Sequence, residues 1–408
     1  MLIRKAYKFR LNTSPETALM MLQYAGNCRF LWNKALKTNL LKLENKQPLC
    51  YYQELDFFSK LWKKSEEYGF LTLSPAQTLQ QTLKQLERAF KDAFDKKQPF
   101  KRMPVMKKRH HSKSFTYPQG FKLEGKRICL PKIGWVNFRK SREIIGKVKN
   151  VTISSQSGKH WFVSLQVEQK VRPLAHPSSS IVAGDLGVKR LLTLSNGEYF
   201  EPINTGKYTA KIKRLQRKLA KKVKFSSNWK KIKQKISDLH SKIARIRHDR
   251  LHKISTSLSK SHAIIVLEDL KIRNMTKSAK GSIEEPGKMV KQKSGLNRVI
   301  LNQGWGMFKE MLKYKQLWRA GEALFVDPKY TSQTCPMCQH KSKGNRETQA
   351  HFECVECGYT NNADHVGALN ILERGHRLLA CGETGIGQLD ETGTRFVRES
   401  RSPNLVFN

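Results

Sequence analysis

At 408 residues the chain exceeds one typical domain and is long enough to bury two or three cores. Its 77 Lys and Arg against 33 Asp and Glu give a formal net charge of +44, spread over much of the sequence, which calls for a polyanionic partner. No run of about 18 apolar residues is present to cross a bilayer and no amphipathic anchor stands alone, so membrane attachment is not expected.

The opening Met1-Leu2-Ile3-Arg4-Lys5-Ala6-Tyr7 runs straight into a strand-like segment, without the apolar stretch and small-residue cleavage site of a signal peptide. A cytoplasmic protein is expected. Ser14-Pro15-Glu16 reads as an N-cap with proline at the first helical position, followed by Leu19, Leu22, Cys28, Leu31, Trp32 and Leu36 at helical spacing. Ser74-Pro75 opens a second helix with the stripe Leu79, Leu83, Leu86, Phe90 and Phe94. Both stripes are expected to be core.

Between Pro99 and Ser114, Phe100-Lys101-Arg102 and Lys107-Lys108-Arg109-His110-His111 form a basic loop with aromatic interleaving, suited to a nucleic-acid backbone and stacked bases; a solvated surface loop has the same composition. From Phe115 to Gln169 the period becomes two, as in Trp161, Val163, Leu165 and Val167, which predicts a small β-domain with turns at Glu124-Gly125 and Ser157-Gly158. Ile3, Ala6 and Phe9 offer it a further strand, which would make the helical block an insertion. Val171 to Ser180 has the composition of a linker.

Ile181-Val182-Ala183-Gly184-Asp185 is an apolar strand ending on a carboxylate, followed by a run over Leu191 to Leu194, the hairpin signal Asn196-Gly197 and a third short strand through Phe200. Ala263 to Leu267 is a buried-strand run that again ends on a carboxylate, Glu268, and Asp364 opens a helix-like stretch. Each acid alone reads more readily as a strand-end or helix-cap residue than as a ligand. Together they are the hard oxygen donors Mg²⁺ prefers, and three converging ones can hold two ions about 4 Å apart for in-line phosphodiester displacement. Asp269 competes with Glu268 as a ligand, but strand alternation points it to the other face.

Between these acids Lys and Arg dominate from Lys207 to Lys253, with Ile232, Ile236, Leu239, Ile243 and Ile246 as a heptad-like stripe. A helical hairpin is expected. Its Lys213, Arg214, Arg217, Lys218, Lys230 and Lys231 are candidates, with Lys101, Arg102, Lys107, Lys108 and Arg109, for contacting a nucleic-acid backbone; a solvated coiled coil is the alternative. Lys271 to Lys293 shows little periodicity and is expected to be a mobile lid or loop. Cys335-Pro336-Met337-Cys338 and Cys354-Val355-Glu356-Cys357, fifteen residues apart, fit a closed four-thiolate site for one structural Zn²⁺, whereas Cys28, Cys50, Cys129 and Cys381 are scattered singly.

The order strand-Asp185, basic hairpin, strand-Glu268, cysteine knuckle, helix-Asp364 resembles the TnpB (OrfB) proteins of bacterial insertion sequences. Supporting segments are Asn27 to Asn33, Gly304 to Phe308, Thr331-Ser332-Gln333-Thr334-Cys335, and Asn362-Ala363-Asp364 with Ala368-Leu369-Asn370-Ile371-Leu372. The resemblance implies an RNA-guided, Mg²⁺-dependent DNA endonuclease. It would bind guide RNA from the transposon end and cut double-stranded target DNA beside a short flanking motif, supporting transposon maintenance. It would act as a monomer with its RNA, in a bacterial cytoplasm and on the nucleoid when bound to DNA.

The implied fold is multidomain α+β. A wedge-like, β-barrel-like domain (1–12 and 106–178) is interrupted by a helical recognition lobe (13–105). An RNase H-like (RuvC) α/β domain (179–327 and 360–375) carries a zinc ribbon (328–359), and 376–408 form a disordered tail. By the same resemblance Asp185, Glu268 and Asp364 are catalytic and hold Mg²⁺, with Val366 and Gly367 standing where the family often has Asn. A nuclease-inactive guided repressor and a strand-transferring transposase are the competing readings; the retained acids weigh against the first and the interposed cysteine knuckle against the second.

Overall fold

The computed structural model describes residues 2–109, 113–155, 160–170, 175–348 and 350–380. The chain divides into two compact units, Met1–Arg172 with Arg214–Ser241, and Pro173–Lys213 with Lys242–Asn408. The expected mixture of α and β structure is present in both.

In the first unit β1 (Leu2–Asn12) leads into α1 (Pro15–Glu44), α2 (Tyr52–Lys64), a 3₁₀ turn (Glu66–Leu73) and α3 (Ala76–Phe94). The strands β2 (Lys113–Tyr117), β3 (Lys122–Glu124), β4 (Arg127–Leu130), β5 (Gly134–Phe138), β6 (Lys147–Ser155) and β7 (Phe162–Lys170) follow. They form one seven-stranded sheet in the order β2-β6-β7-β1-β5-β4-β3. β1 therefore lies mid-sheet, antiparallel to β7 from Leu2↔Lys170 to Arg10↔Phe162 and to β5 at Leu11↔Phe138, and the three helices are inserted between it and its partners. Ile3, Tyr7, Phe9 and Leu11 face the core with the period of a strand, whereas Ala6 is exposed, because residues three apart fall on opposite faces.

Helix α1 starts where Ser14 Oγ accepts from the Thr17 amide at 3.2 Å and Pro15 occupies the first turn. Cys28, Leu31, Trp32 and Leu36 are buried as expected; Leu19, a turn from the helix start, is 68% exposed. In α3 the stripe Leu79, Leu83, Leu86 and Phe90 is buried and ends before Phe94, which is 55% exposed at the last turn. Truncating a core residue such as Leu83 to alanine would cost about 2–5 kcal/mol. The Glu124-Gly125 turn joins β3 to β4, with Gly125 at φ +51°; Ser157-Gly158 lies outside the described residues.

In the second unit β8 (Ile181–Asp185), β9 (Leu192–Leu194) and β10 (Tyr199–Phe200) form the expected antiparallel meander. The basic hairpin is α4 (Gly206–Ala220) and α5 (Ser227–Ser261), each of which contributes residues to both units. Then come β11 (Ile264–Glu268), α6 (Ile272–Met275), α7 (Val290–Gln303), α8 (Trp305–Trp318), β12 (Glu322–Val326), the hairpin β13 (His351–Glu353) and β14 (Thr360–Asn362), and α9 (Ala363–Ala380). The main sheet has the order β10-β9-β8-β11-β12, with β8, β11 and β12 parallel. Val182, Ile265 and Leu267 pack on one face against Leu251, Ile254 and Leu258 of α5 and Trp305, Phe308 and Leu312 of α8. Ala183, Val266, Leu324 and Val326 pack on the other face against Ile371 of α9. Central parallel strands covered on both faces must be apolar throughout, which is why they read as unbroken apolar runs.

Two expectations are corrected. The segment Lys271 to Lys293 is not all loop: α6 and the first turn of α7 lie in it, and Asn297 of α7 donates to the Thr276 carbonyl at 3.1 Å. The helix bearing Asp364 does not stop near residue 375 but continues to Ala380, because Leu378 and Leu379 add to the cluster on the sheet. The remainder of the expected tail, with Cys381, lies outside the described residues. Among the described residues no helix is long and apolar enough to cross a membrane.

Candidate metal centre

The Cα register Leu267↔Gly184 between parallel strands sets Glu268 beside Asp185 at the ends of β11 and β8. Ala183 and Val266, two residues earlier, face α9, so by strand alternation both carboxylates project to the α9 side. Asp364 comes from the first turn of α9, whose start is capped by Asn362 Oδ1, accepting from the amides of Asp364 at 3.1 Å and His365 at 3.4 Å. Close approach of this helix depends on glycine. A Cβ at Gly367 would stand 3.2 Å from Asp185 Oδ2, and one at Gly375 would stand 2.6 Å from Val266 Cγ2. Val366 is buried under the cysteine module.

The electrostatics follow from crowding. Dense surroundings, and then the nearby Glu268 and Asp364 carboxylates, push the Asp185 carboxyl up to about 7, although part of its surface is accessible. Burial also raises Glu268, against the pull of a hydrogen bond from Thr331. Asp269 is a different environment: Lys271 bonds one oxygen and Lys309 Nζ the other at 2.8 Å, holding it down at about 2. Its two ammonium partners keep it on the opposite face, as alternation required.

Several side chains that bear on the acids carried no sequence signal of doing so. Thr331 Oγ1 donates to Glu268 Oε1 at 2.5 Å, and both residues are buried. Arg346 Nη2 lies 3.5 Å from Asp364 Oδ1, and its charge also favours the ionised forms of Asp185 and Glu268. Arg374 Nη1 donates to the Asp327 carbonyl at 2.5 Å, beyond the end of β12, and its charge too acts on Glu268. Thr331 and Asn370 fall in the quoted motif segments; Arg346 is an unmarked basic residue among many. The arrangement offers three hard oxygen donors, crowded so that a divalent cation would relieve their repulsion, with one guanidinium at the rim.

The cysteines form a tighter group. Cys335, Cys338, Cys354 and Cys357 hold all four sulfurs within 4.8 Å of one another, the one such cluster of three or more His, Cys, Asp or Glu side chains among the described residues. Cys335 and Cys357 sulfurs are 3.6 Å apart, Cys338 and Cys354 3.5 Å, close to the spacing of about 3.8 Å expected for a tetrahedron with metal–sulfur bonds of about 2.3 Å. The donor set fits a thiophilic metal. Each pair sits in the same turn: the Gln339 amide donates to the Cys335 carbonyl and the Gly358 amide to the Cys354 carbonyl, with Gln339 at φ +61° and Gly358 at φ +70°. Asn345, fully buried, joins the turns by donating to the Gln333 and His340 carbonyls and accepting from the Val355 amide. His340 and His351 are not in the cluster.

Of the basic candidates, Lys213, Arg214, Arg217, Lys218, Lys230 and Lys231 are all exposed on α4 and α5, and Lys101, Arg102, Lys108 and Arg109 are exposed in the loop after α3. Lys107 differs. Asn33 pins its backbone through bonds of 2.8 and 3.0 Å, and its ammonium lies 3.5 Å from the Trp32 ring centre, where burial pushes it down to about 8. It anchors the loop to α1 and is less available to a phosphate. His110 and His111 lie outside the described residues.

Comparison with known proteins adds three family matches: OrfB_IS605, described as "Probable transposase", over residues 164–279; the Cas12f1-like TNB domain over 305–371; and the OrfB_IS605 "Helix-turn-helix domain" over 1–46. The first two ranges enclose all three acids and all four clustered cysteines; the third is here one strand and one continuous helix up to Glu44. The chain is 50% identical over 382 residues to the Escherichia coli K12 protein named "Putative RNA-guided DNA endonuclease InsQ", covering 93% of this chain and 94% of that one. It is 30% identical over 386 residues to a Streptomyces pristinaespiralis protein of the same functional description, covering 93% and 92%. A 73-residue stretch, 17% of each chain, is 42% identical to the CRISPR-associated endodeoxyribonuclease Cas12f1 of Sulfoacidibacillus thermotolerans.

Proposed function

The chain belongs to the TnpB (OrfB) family, and from that premise we propose that it is an RNA-guided, divalent-metal-dependent DNA endonuclease whose cutting residues are Asp185, Glu268 and Asp364. The observation that carries this is the convergence of three carboxylates from β8, β11 and α9 on one face of one sheet end. The strand order, with three parallel strands flanked by an antiparallel pair, supports reading the second unit as RNase H-like (RuvC). In the same reading the seven-stranded sheet is the wedge domain and α1–α3 the recognition lobe. The four-cysteine module is a zinc ribbon with every coordination position filled by protein, so its role is structural.

Asp185, Glu268 and Asp364 would hold Mg²⁺, which when bound supplies Lewis-acid charge stabilisation to phosphodiester displacement. The chain's own residues do the rest. Burial of Glu268 and the close seat of α9 restrict water and fix the three donors relative to the sheet. Arg346, at the rim beside Asp364, presents a planar donor fork to a phosphate oxygen and neutralises charge as it builds there. Exposed cations on α4, α5 and the loop around Arg102 hold the RNA and DNA backbones.

The test is to express the chain with RNA from its transposon's end, then add Mg²⁺ and a plasmid library carrying the guide match beside randomised flanks, with Asp185→Ala in parallel. Guide-dependent linearisation, absent in the variant, is expected and would reveal the flanking motif. Guided binding without cutting by either protein would overturn the catalytic reading in favour of a guided DNA-binding repressor, and cutting without a guide would favour a transposase.

A further inference from the structure

The placement of the acids at strand and helix ends does not itself hold Glu268 in one orientation; the contact that does lies at the root of the cysteine module. Thr331 sits on the turn that leaves β12 and runs through Thr334 into Cys335. Its hydroxyl donates to Glu268 Oε1 at 2.5 Å, in a place where Thr331 is 4% and Glu268 7% exposed, so water does not compete for the bond. The same turn is gripped from the other side by Asn370, 3% exposed on α9, whose Nδ2 donates to the carbonyls of Thr331 and Thr334, both at 2.7 Å. Both amide hydrogens are thereby used. The orientation is chosen at a cost, since Asn370 Oδ1 is buried with no protein partner among the described residues.

We propose that Thr331 and Asn370 are positioning residues through which the base of the four-cysteine module fixes the Glu268 carboxylate. Donation to Oε1 locks the carboxylate torsion and leaves Oε2 without that bond. Asn370 fixes the backbone from which Thr331 donates, six residues along the helix that carries Asp364, so the second and third acids are tied to one rigid element. The inference rests on the nuclease reading for its consequence in cleavage, and on the hydrogen bonds alone for its consequence in metal affinity.

The experiment uses the full chain bound to its RNA and compares Thr331→Val, which keeps the shape and deletes the donor, with Thr331→Ser, which keeps the donor. Mn²⁺ binding is followed by electron paramagnetic resonance, with Asp185→Ala identifying the isotherm that belongs to the carboxylates; zinc content, guided target binding and cleavage rate are measured alongside. Thr331→Val is expected to weaken Mn²⁺ binding and slow cleavage by about 10–100-fold. It should keep one zinc per chain and wild-type target binding, and Thr331→Ser should restore both losses to within about threefold of wild type. Asn370→Ala should reproduce the loss in Mn²⁺ affinity. Unchanged Mn²⁺ affinity in Thr331→Val, equal impairment of the Ser and Val variants, or loss of zinc from Thr331→Val would each overturn the proposal. A wild-type chain that binds Mn²⁺ through Asp185 without cutting would count against the nuclease reading, while the Mn²⁺ isotherms would still decide this one.

Discussion

The two candidate metal sites of the second unit are built in opposite ways. The cysteine cluster is assembled within 23 residues by two copies of one turn, and its sulfurs already stand at ligand spacing. The carboxylate site draws on Asp185, Glu268 and Asp364 from three elements spread over 180 residues of sequence, and its donors crowd without closing to that spacing. A local site depends on its own turns, whereas a dispersed one depends on whatever holds the elements together. Here the holder is partly the local site itself, since Thr331 and Arg346 belong to the cysteine module and reach Glu268 and Asp364. Dependence should therefore run in one direction.

The largest effects test that direction. Glu268→Gln should lower guided cleavage by at least about 10³-fold while zinc content and target binding stay at wild-type levels, read by gel kinetics and metal analysis. Cys335→Ser with Cys354→Ser should lose both zinc and cleavage, with hydrogen exchange rising across 328–362, because structural zinc is worth about 10–16 kcal/mol in zinc-finger peptides. Preserved cleavage in this double variant would break the asymmetry. Arg346→Ala should slow cleavage by about 10–100-fold at constant zinc content, with Arg346→Lys recovering only part, since a point charge replaces a fork.

Smaller effects sharpen the packing side. Gly367→Ala places a methyl 3.2 Å from Asp185 Oδ2. Overpacking of about 1–3 kcal/mol should outweigh the gain of about 1 kcal/mol in helix propensity, giving a modest fall in the unfolding midpoint and a several-fold loss of cleavage. Gln339→Gly should do the reverse within the cysteine module. Residue 339 adopts φ +61°, a conformation glycine tolerates without strain, so a gain of at most about 1 kcal/mol is expected, visible as slower zinc loss to a chelator.

What the sequence disclosed follows the same division. The cysteine cluster was readable from spacing because all its determinants are local, and Asp185 and Glu268 were readable because central parallel strands must be apolar up to the residue that breaks the run. The residues that orient those acids were not readable: the Thr331–Glu268 contact spans 63 positions and leaves no periodic trace. Gly375 illustrates a different failure. In sequence it resembles the end of a helix, yet it lies within α9, where the missing side chain admits Val266 of the sheet. Ala6 shows that a set of apolar residues spaced by three cannot define a strand face; Ile3, Tyr7, Phe9 and Leu11 do so at spacings of two and four.

The central place of β1 has a consequence for how the protein is made. Its partners are Phe138 on one side and Phe162 to Lys170 on the other, so a ribosome adding about 5–20 residues per second delivers the last of them roughly 10–30 s after β1 has emerged. Until residues 137 and 138 emerge the strand with Ile3, Tyr7, Phe9 and Leu11 on one face has neither neighbour, and until β7 follows it lacks the longer one, while α1, α2 and α3 can already meet one another. The nascent chain thus carries an apolar strand with at least one open edge until β7 closes the sheet around it, and translation pauses between residues 100 and 160 would lengthen its exposure to other unfolded chains.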